Sequence, residues 1–356
     1  VLDMNKIRLA VLFGGVSSEY EVSCVSASSV LDNLDKDKYE IYKIGITKDG
    51  RWFLTMADTA QIKDGRWADR KDNISAVISP DRGCRGLLLL KERETESIRI
   101  DCIYPVVHGK NCEDGVLQGL LELSGIPYVG PGVAASACSM DKAITKLIAG
   151  AAGINQADYV LVTASELKAD ETATLDRVEA YFNRYPLFIK PANEGSSVGI
   201  SKVHDRAELG RGLAEAAGYD EKILVEETIV GREIETAVLG NDNPEVAKIG
   251  EIFSCNEFYD YEAKYADIGS RTGIIDDISP ELEQQIKETA VRVFKAMGCK
   301  GMSRIDFFLT EDNRIILNEL NTLPGFTSIS MYPKMWEAAG VPYPQLLDRL
   351  IALAME

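Results

Sequence analysis

Between Arg304 and Asn321 the chain reads RIDFFLTEDNRIILNELN, two strand-like runs around a Glu311-Asp312-Asn313 turn. Both runs are apolar, yet they carry Asp306, Glu319 and Asn321 among Ile, Leu and Phe. Side chains alternate along a strand, so Arg304, Asp306 and Phe308 share one face and Ile305, Phe307 and Leu309 the other. The same parity places Ile315, Leu317, Glu319 and Asn321 together on the second run. If the hairpin aligns Asp306 with Glu319 and Asn321, an all-oxygen cluster forms on an apolar sheet. That donor set suits a hard cation, Mg2+ with substrate phosphates completing its shell, and neither zinc nor copper. Two carboxylates side by side in such a setting demand a counter-charge. Arg304 offers the plainer account of Asp306, a structural salt bridge on the same face. Asn321 adds an oxygen that an ion pair does not need.

The surroundings of the hairpin share its grammar. From about residue 155 the segments PLFIK, ISKV, KILVEE, EIETAVLG and KIGEIF are joined by short turns, which predicts antiparallel sheets. Helical stretches, ELGRGLAEAA and PELEQQIKETAVRVFKAMG, cover one side. The N-terminal part differs. KIRLAVLF is a nearly continuous apolar run ending in Gly14-Gly15, the pattern of a buried parallel strand, and a helix follows through SASSVLDNL. Further strand–turn–helix units are expected at YEIYKIGIT, at IDCIYPVVHG before VLQGLLELSG, and at IPYVG before the helix MDKAITKLIAGAAG. The expected fold is therefore α/β with a mainly parallel sheet, followed by α+β. Domain boundaries are expected near residues 130 and 226, giving units at 4–130, 131–226 and 227–356. There is no internal repeat and no low-complexity linker.

A chain of 356 residues with 46% apolar and 27% charged residues has the make-up of a multidomain soluble protein. No apolar run approaches the roughly 18–20 residues that span a bilayer. The opening VLDMNKIRLAVLF lacks the pattern of a secretory leader, and Met4 reads as the natural start with Val1 to Asp3 ahead of it. Seven cysteines, at 24, 84, 102, 112, 138, 255 and 299, include no C-x-x-C pair, which suits reduced thiols in a cytoplasm. A net charge of −17 excludes a nucleic-acid surface. It also means that an anionic ligand needs metal ions and placed Lys or Arg to overcome a repulsive field.

Four other stretches carry chemistry. In GGVSSEYEVS, Ser18 and Glu21 have capping-box spacing, leaving Glu19 at the first helical position, above the carboxyl end of a strand. Glu19 then either faces a ligand or complements the helix dipole. The loop lacks G-x-G-x-x-G spacing. His108, one of two histidines, opens the Gly-rich turn HGKNCEDGVLQG at another strand's carboxyl end. KPANEGSSVGISKV closes a strand with Lys190 and runs through small residues into a second strand. Its backbone N–H groups can approach an anion closely, and Lys190 supplies a point charge. It is not a Walker A loop, because no G-K-[ST] and no helix follow. Lys142 is either a second phosphate contact or a solvated helix charge. Glu226, Glu227 and Glu233 gather where one strand crosses to the next, as solvated edge carboxylates or as a nucleotide hinge. EFYDYEAKYADIGSRTGIIDD, with Lys264 and Tyr265, has the length and aromatic content of a covering loop.

Taken together, FGGVSSEYEVS (13–23), HGKNCEDGVLQG (108–119), MDK (140–142), FIKPANEGSSVGISKV (188–203), EFYDYEAKY (257–265), GMSRIDFF (301–308) and NELNTLPGFTSISMYPKMW (318–336) closely resemble the D-alanine–D-alanine ligases of the ATP-grasp superfamily. The matching stretches fall in the family's order and cover nearly the whole chain. The resemblance implies a three-domain ATP-grasp fold, a cytoplasmic homodimer, ATP and D-alanine as substrates, and two Mg2+ ions for which Mn2+ can substitute. It implies a product, D-alanyl-D-alanine, that enters peptidoglycan.

Residue by residue, the resemblance assigns Asp306, Glu319 and Asn321 to magnesium, and Lys142 and Lys190 to phosphate. Gly195-Ser196-Ser197 would close over the γ-phosphate. Glu226 and the backbone at Glu227 and Ile229 would hold adenine, Glu233 the ribose, and Asn318 belongs to the nucleotide set. Glu19 would bind the ammonium of the first D-alanine, linked through Ser196 to Tyr265, with His108 assisting. Arg304 and the Gly325 backbone would meet the oxyanion, Ser330 the second carboxylate, and Lys264 the transferring phosphate. This chemistry is coherent. A carboxylate is a poor electrophile, so ATP must activate it as an acyl phosphate before an amine attacks, and water must be excluded meanwhile.

One departure stands out. Where the family shows a Pro-Ala pair after Lys-Tyr, this chain reads TGIIDDIS (272–279). Met331, apolar beside Ser330, suits an alanine methyl better than a serine hydroxyl in the second site. The alternatives are a D-alanine–D-serine ligase and a nucleotide-binding regulator without catalysis.

Overall fold

The computed structural model describes residues 6–195, 198–253 and 271–356. Counts below refer to these residues. Three sheets follow one another along the chain.

The first contains β1 (Ile7–Gly14), β2 (Tyr39–Ile46), β3 (Trp52–Leu54), β4 (Ile74–Ile78), β5 (Gly86–Leu90), β6 (Thr95–Arg99) and β7 (Cys102–Val106), ordered β6-β5-β4-β3-β2-β1-β7. β1 runs parallel to β2 and β7, with α1 (Tyr20–Asn33) as the β1–β2 crossover. The remaining pairings are antiparallel. The sheet is thus mixed, and the parallel character expected from the apolar runs belongs to its β2-β1-β7 side. A parallel pair needs a crossover of a dozen residues or more, whereas β5 and β6 are joined by four, enough only for a hairpin. After YEIYKIGIT a short strand follows where a helix was expected. α2 (Thr59–Lys63), which Asp58 caps, comes only after it. IPYVG contributes an isolated bridge, Ile103 to Tyr128, and no full strand.

α3 (Val116–Ser124), α4 (Val133–Met140) and α5 (Lys142–Ala151) lead into the second sheet. That sheet comprises β8 (Tyr159–Thr163), β9 (Leu187–Pro191), β10 (Ser201–Val203) and β11 (Lys222–Glu227), ordered β10-β9-β11-β8 and antiparallel throughout. α6 (Ala164–Ala169), α7 (Glu171–Phe182) and α8 (Arg206–Ala216) lie between its strands in sequence. Leu175 and Val178 of α7 and Leu209, Leu213 and Ala216 of α8 pack on Ile189, Ile223 and Val225, filling one face as expected.

The third sheet holds β12 (Arg232–Gly240), β13 (Glu245–Val246), β14 (Gly250–Phe253), β15 (Arg271–Ile274), β16 (Gly301–Leu309) and β17 (Ile315–Asn321), again antiparallel. α9 (Pro280–Ala296), capped by Ser279 with proline at its first position, buries Ile286, Ala290, Val293 and Phe294 against Ile305, Phe307 and Leu309. Ala135 of α4 and Ala149 of α5 join this core. The final helices, α10 (Met331–Ala338) and α11 (Tyr343–Met355), return to the first domain. Leu346, Leu347, Leu350 and Ile351 share one core with Leu9, Val11 and Ile103. Each such leucine contributes about 1.5–3 kcal/mol of burial. Lys38 and Tyr39 tie the joint at its rim, 2.6 and 2.7 Å from the Asp348 carboxylate. The first and third domains are therefore held by one core, and the segment 322–330 between β17 and α10 passes along the joint.

Candidate active site

Strand parity decides what the second and third sheets show to each other. Along β9, Leu187 and Ile189 face the helices, so Phe188 and Lys190 face away. On β11, Ile223 and Val225 are inward, so Leu224 and Glu226 face away. Leu224 opposes Lys190 and Glu226 opposes Phe188, which puts Lys190 and Glu226 on one diagonal of the same face. This face and the outer face of the third sheet line a cleft of about 1370 Å³.

The register that the hairpin needed is present. Asp306 pairs with Glu319 and Arg304 with Asn321. Simple alternation does not produce it. Phe307 pairs with Leu317, so Asn318 is an extra residue, a β-bulge. The bulge resets parity: Ile315, Leu317 and Leu320 enter the core, while Glu319 and Asn321 line the cleft. The expected common face for Ile315, Leu317, Glu319 and Asn321 is corrected accordingly.

The ion pair that rivalled a metal in the sequence also exists. Arg304 forks onto Asp306, with Nε–Oδ1 at 2.8 Å and Nη2–Oδ2 at 2.7 Å, and its Nε lies 3.1 Å from Glu235 Oε1. Burial disfavours the Arg304 charge, but Asp306 and Glu235 more than restore it. Asn321 Nδ2 donates to Asp306 Oδ2 at 3.1 Å. Among the described residues, no three His, Cys, Asp or Glu side chains gather as a metal-holding group. The fit to a hard cation therefore rests on two facing carboxylates, one amide oxygen and the oxygens a phosphate ligand would bring.

Glu226 is buried, not a solvated edge carboxylate. Burial pushes its carboxyl up, and Lys190 and Lys146 overcome this and bring it down to about 2. Lys190 Nζ lies 2.7 Å from Glu226 Oε2 and donates to Asn318 Oδ1 at 3.2 Å. Lys142 donates to the Glu194 carbonyl at 2.6 Å, holding the base of the Gly/Ser loop. The Glu227 carboxylate takes the Asp158 N–H at 3.0 Å and pairs with Arg184. With the side chain so engaged, any contact of Glu227 with adenine falls to its backbone. Glu227, Ile229 and Glu233 line the same cleft.

The far end is built from three loops. Gly14 and Gly15 turn with φ of 85° and 118°, and a Cβ on Gly14 would stand 2.1 Å from the Ile46 carbonyl. Glu19 follows at the N-cap of α1, where its side chain caps nothing. The Ser18–Glu21 capping box does not form. Helix geometry begins one residue too late for it, and Glu21 instead pairs with Lys48. A Cβ on Gly109 would come within 2.7 Å of Glu19 Oε2, and one on Gly195 within 3.4 Å. The first loop, the His108 loop and the Gly/Ser loop thus converge on one carboxylate. His108 is buried, and desolvation keeps its imidazole neutral-leaning, below the usual range. Its Nδ1 meets the Leu323 carbonyl at 3.0 Å and must donate, so Nε2 accepts from Ser26 Oγ at 3.3 Å. Ser26 Oγ in turn accepts from the Phe326 N–H at 3.3 Å. Ser330 Oγ lies 2.9 Å from the Thr327 N–H and 2.8 Å from its hydroxyl, and would sit 2.9 Å from a Cβ on Gly325. Ser196, Ser197, Lys264 and Tyr265 lie outside the described residues.

Two family models match the chain: the D-ala D-ala ligase N-terminus over residues 8–131 and the D-ala D-ala ligase C-terminus over residues 148–352. The chain belongs to the D-alanine–D-alanine ligase family. A D-alanine–D-alanine ligase of Caldicellulosiruptor bescii is 50% identical over 354 residues, covering 99% of this chain and 96% of the relative. Among solved structures, the VanG D-Ala:D-Ser ligase from Enterococcus faecalis superposes with a TM-score of 0.88 at 40% identity, covering 98% of this chain and 100% of that one. The D-alanine–D-alanine ligase from Coxiella burnetii gives 0.84 at 36%, covering 98% and 95%. The three-domain arrangement, a mixed-sheet domain followed by two antiparallel ones, is the family's ATP-grasp fold.

Within this ligase fold, several residues that line the cleft or back its carboxylates escaped the sequence reading. Lys146 follows Lys142 by one helical turn, a spacing that points to a shared face. Glu235 follows Glu233 at strand spacing and opposes Asp306. Glu113 lies inside HGKNCEDG, and its Oε1 accepts the Gly109 N–H at 2.8 Å. Burial, reinforced by Glu19, pushes the Glu113 carboxyl up to about 8. The segment that departs from the family is ordered here. Arg271–Ile274 forms edge strand β15, and Arg232 clasps both Glu251, at 2.5 and 2.9 Å, and Asp277, at 2.8 Å.

Proposed function

We propose that the protein joins two D-alanines into D-alanyl-D-alanine for peptidoglycan, with ATP converted to ADP and phosphate. The observation that carries this reading is the convergence on one cleft of Lys190 and Glu226, Arg304, the Asp306–Glu319–Asn321 register, and Glu19 with His108.

The first D-alanine sits with its ammonium on Glu19 and its carboxylate toward the cleft. A carboxylate oxygen attacks the γ-phosphorus, the bond to the β-bridging oxygen breaks, and ADP and an acyl phosphate result. Lys190 and Lys142 offset phosphate charge, and Glu226, Glu233 and the backbone at Glu227 and Ile229 hold the nucleoside. Magnesium on Asp306, Glu319 and Asn321 supplies further neutralisation of phosphate charge when bound. The amine of the second D-alanine, its carboxylate on Ser330, then attacks the acyl carbon. Arg304 and the Gly325 N–H meet the oxyanion, and phosphate departs with the proton the amine gives up as the amide forms. The reaction requires that water be kept from the acyl phosphate, and the family roles of Ser196, Ser197, Lys264 and Tyr265 fall on residues outside those described.

A second reading, D-serine at the second position, is favoured by the likeness to the D-Ala:D-Ser ligase from Enterococcus faecalis. Against it stands Met331, an apolar side chain lining the cleft next to Ser330. The test is phosphate release from ATP with D-alanine, with D-serine and with both, the products weighed by mass spectrometry. D-alanine-dependent release with D-alanyl-D-alanine as the main product is expected. Release indifferent to D-alanine sinks the ligase reading, and a dominant mixed dipeptide replaces the first reading by the second.

A further inference from the structure

Lys146 has no place among the roles above, yet it is only 5% exposed and deeply engaged. Its Nζ lies 3.0 Å from Glu226 Oε1 and 3.2 Å from the Ala157 carbonyl, over the ring of Tyr159. The other Glu226 oxygen meets Lys190, which also reaches Asn318 on the facing sheet. Two ammonium groups therefore share one buried carboxylate, and Glu319 and Glu233 also favour the charge on Lys190.

We infer that Lys146 is a positioning residue: it holds Glu226 so that Lys190 can turn to a nucleotide phosphate. The inference rests on the nucleotide reading of the cleft. A buried carboxylate deprived of its only cation is strongly disfavoured. Were Lys190 the only partner of Glu226, an incoming phosphate and Glu226 would compete for the same ammonium. With Lys146 fixed on Oε1, Glu226 keeps a cation whichever way Lys190 turns. Lys142 does not replace it, since its ammonium donates to the Glu194 carbonyl on the loop side. The effect should fall on the phosphate end of the ligand and spare the nucleoside end.

Titration calorimetry of ADP and of adenosine, at fixed magnesium on the intact protein, separates these ends. Lys146→Met should lower the preference for ADP over adenosine roughly tenfold, a coupling of ordinary size for contacting charged residues. In a Glu226→Gln background the same substitution should change that preference little, because no buried anion is left to compete. Equal weakening of both ligands, as for a purely structural ion pair, or no weakening, overturns the inference. If the wild-type protein binds neither ligand, the nucleotide reading itself fails, and the inference with it. Should Lys146→Met not fold, Glu226→Gln alone decides: its ADP-over-adenosine preference should equal or exceed that of the wild type, and a fall overturns the proposal.

Discussion

Asp306 and Glu319 face each other across β16 and β17 because Asn318 is bulged out of the pairing between them. Without that extra residue, either Leu317 or Glu319 would have to leave its present face. The bulge therefore connects a core requirement to a cleft requirement within three residues, and it also leaves Asn318 reaching Lys190 on the opposite sheet.

Glu319→Ala should abolish turnover while leaving the fold largely intact. Glu319 lies on the cleft face, outside the cores, so its loss creates no apolar cavity. A fall in kcat of about 100-fold or more is expected, given the usual size of transition-state charge stabilisation. Thermal melting should move by only a few degrees, roughly what 1 kcal/mol produces. A collapsed melting transition with proportionate activity loss would point to a structural salt-bridge network instead.

Glu235→Gln tests how Arg304 is held. Glu235 opposes Asp306 on β12 and lies 3.1 Å from the guanidinium. If Asp306 is drawn toward a cation, Glu235 is the carboxylate that keeps Arg304 in place. Steady-state kinetics should show kcat reduced about tenfold, the scale of a misaimed charged donor, with the KM for ATP nearly unchanged. A change confined to the KM for ATP contradicts this assignment.

Arg304→Lys should be poorly tolerated despite keeping the charge. Arg304 forms two bonds to Asp306 and a third contact to Glu235, which a lysine's point charge cannot reproduce as a planar fork. Activity should fall about 100-fold or more by loss of oxyanion stabilisation. Wild-type-like kcat in Arg304→Lys would mean the fork is dispensable.

The raised carboxyl of Glu113 sets a pH dependence of stability. Its folded value, about 8, lies above its ordinary one, so the folded state binds the proton more tightly than the unfolded chain. The associated stability is fully present below about pH 4.5 and is lost as pH rises toward 8. Glu113→Gln should therefore flatten the decline of unfolding free energy across that window, by on the order of 1–3 kcal/mol after allowance for coupling to Glu19. Urea titrations at pH 5 and pH 8 read this directly. Parallel pH profiles for wild type and variant would show that Glu113 ionises as an ordinary surface carboxylate.

Leu350→Ala probes the joint between the first and third domains. Leu350 is fully buried in the core that α11 shares with β1 and β7. A loss of about 2–5 kcal/mol is expected for a leucine-to-alanine change at such a site. Chemical denaturation should register it, and a loss under 1 kcal/mol would mean α11 is only loosely docked.

Much of this was legible in the residues alone. Turn lengths distinguished antiparallel sheets from a crossover-linked unit, because a hairpin needs few residues and a parallel pair needs many. Glu19, His108, Lys190, Arg304 and the Asp306–Glu319–Asn321 set could be named because chemistry-bearing residues at strand ends and in Gly-rich loops stand out from an apolar background. Tertiary structure decided the rest. Parity is a local rule, and a single bulge at Asn318 reverses it, with no local signal to mark the place. The same limit left Glu226 open between a solvated edge carboxylate and a nucleotide hinge; it is buried between Lys146 and Lys190, groups 80 and 36 residues away along the chain. Burial and charge pairing are properties of three-dimensional neighbours, so only packing the second sheet against α5 and the third sheet makes that carboxylate an anchor of the cleft.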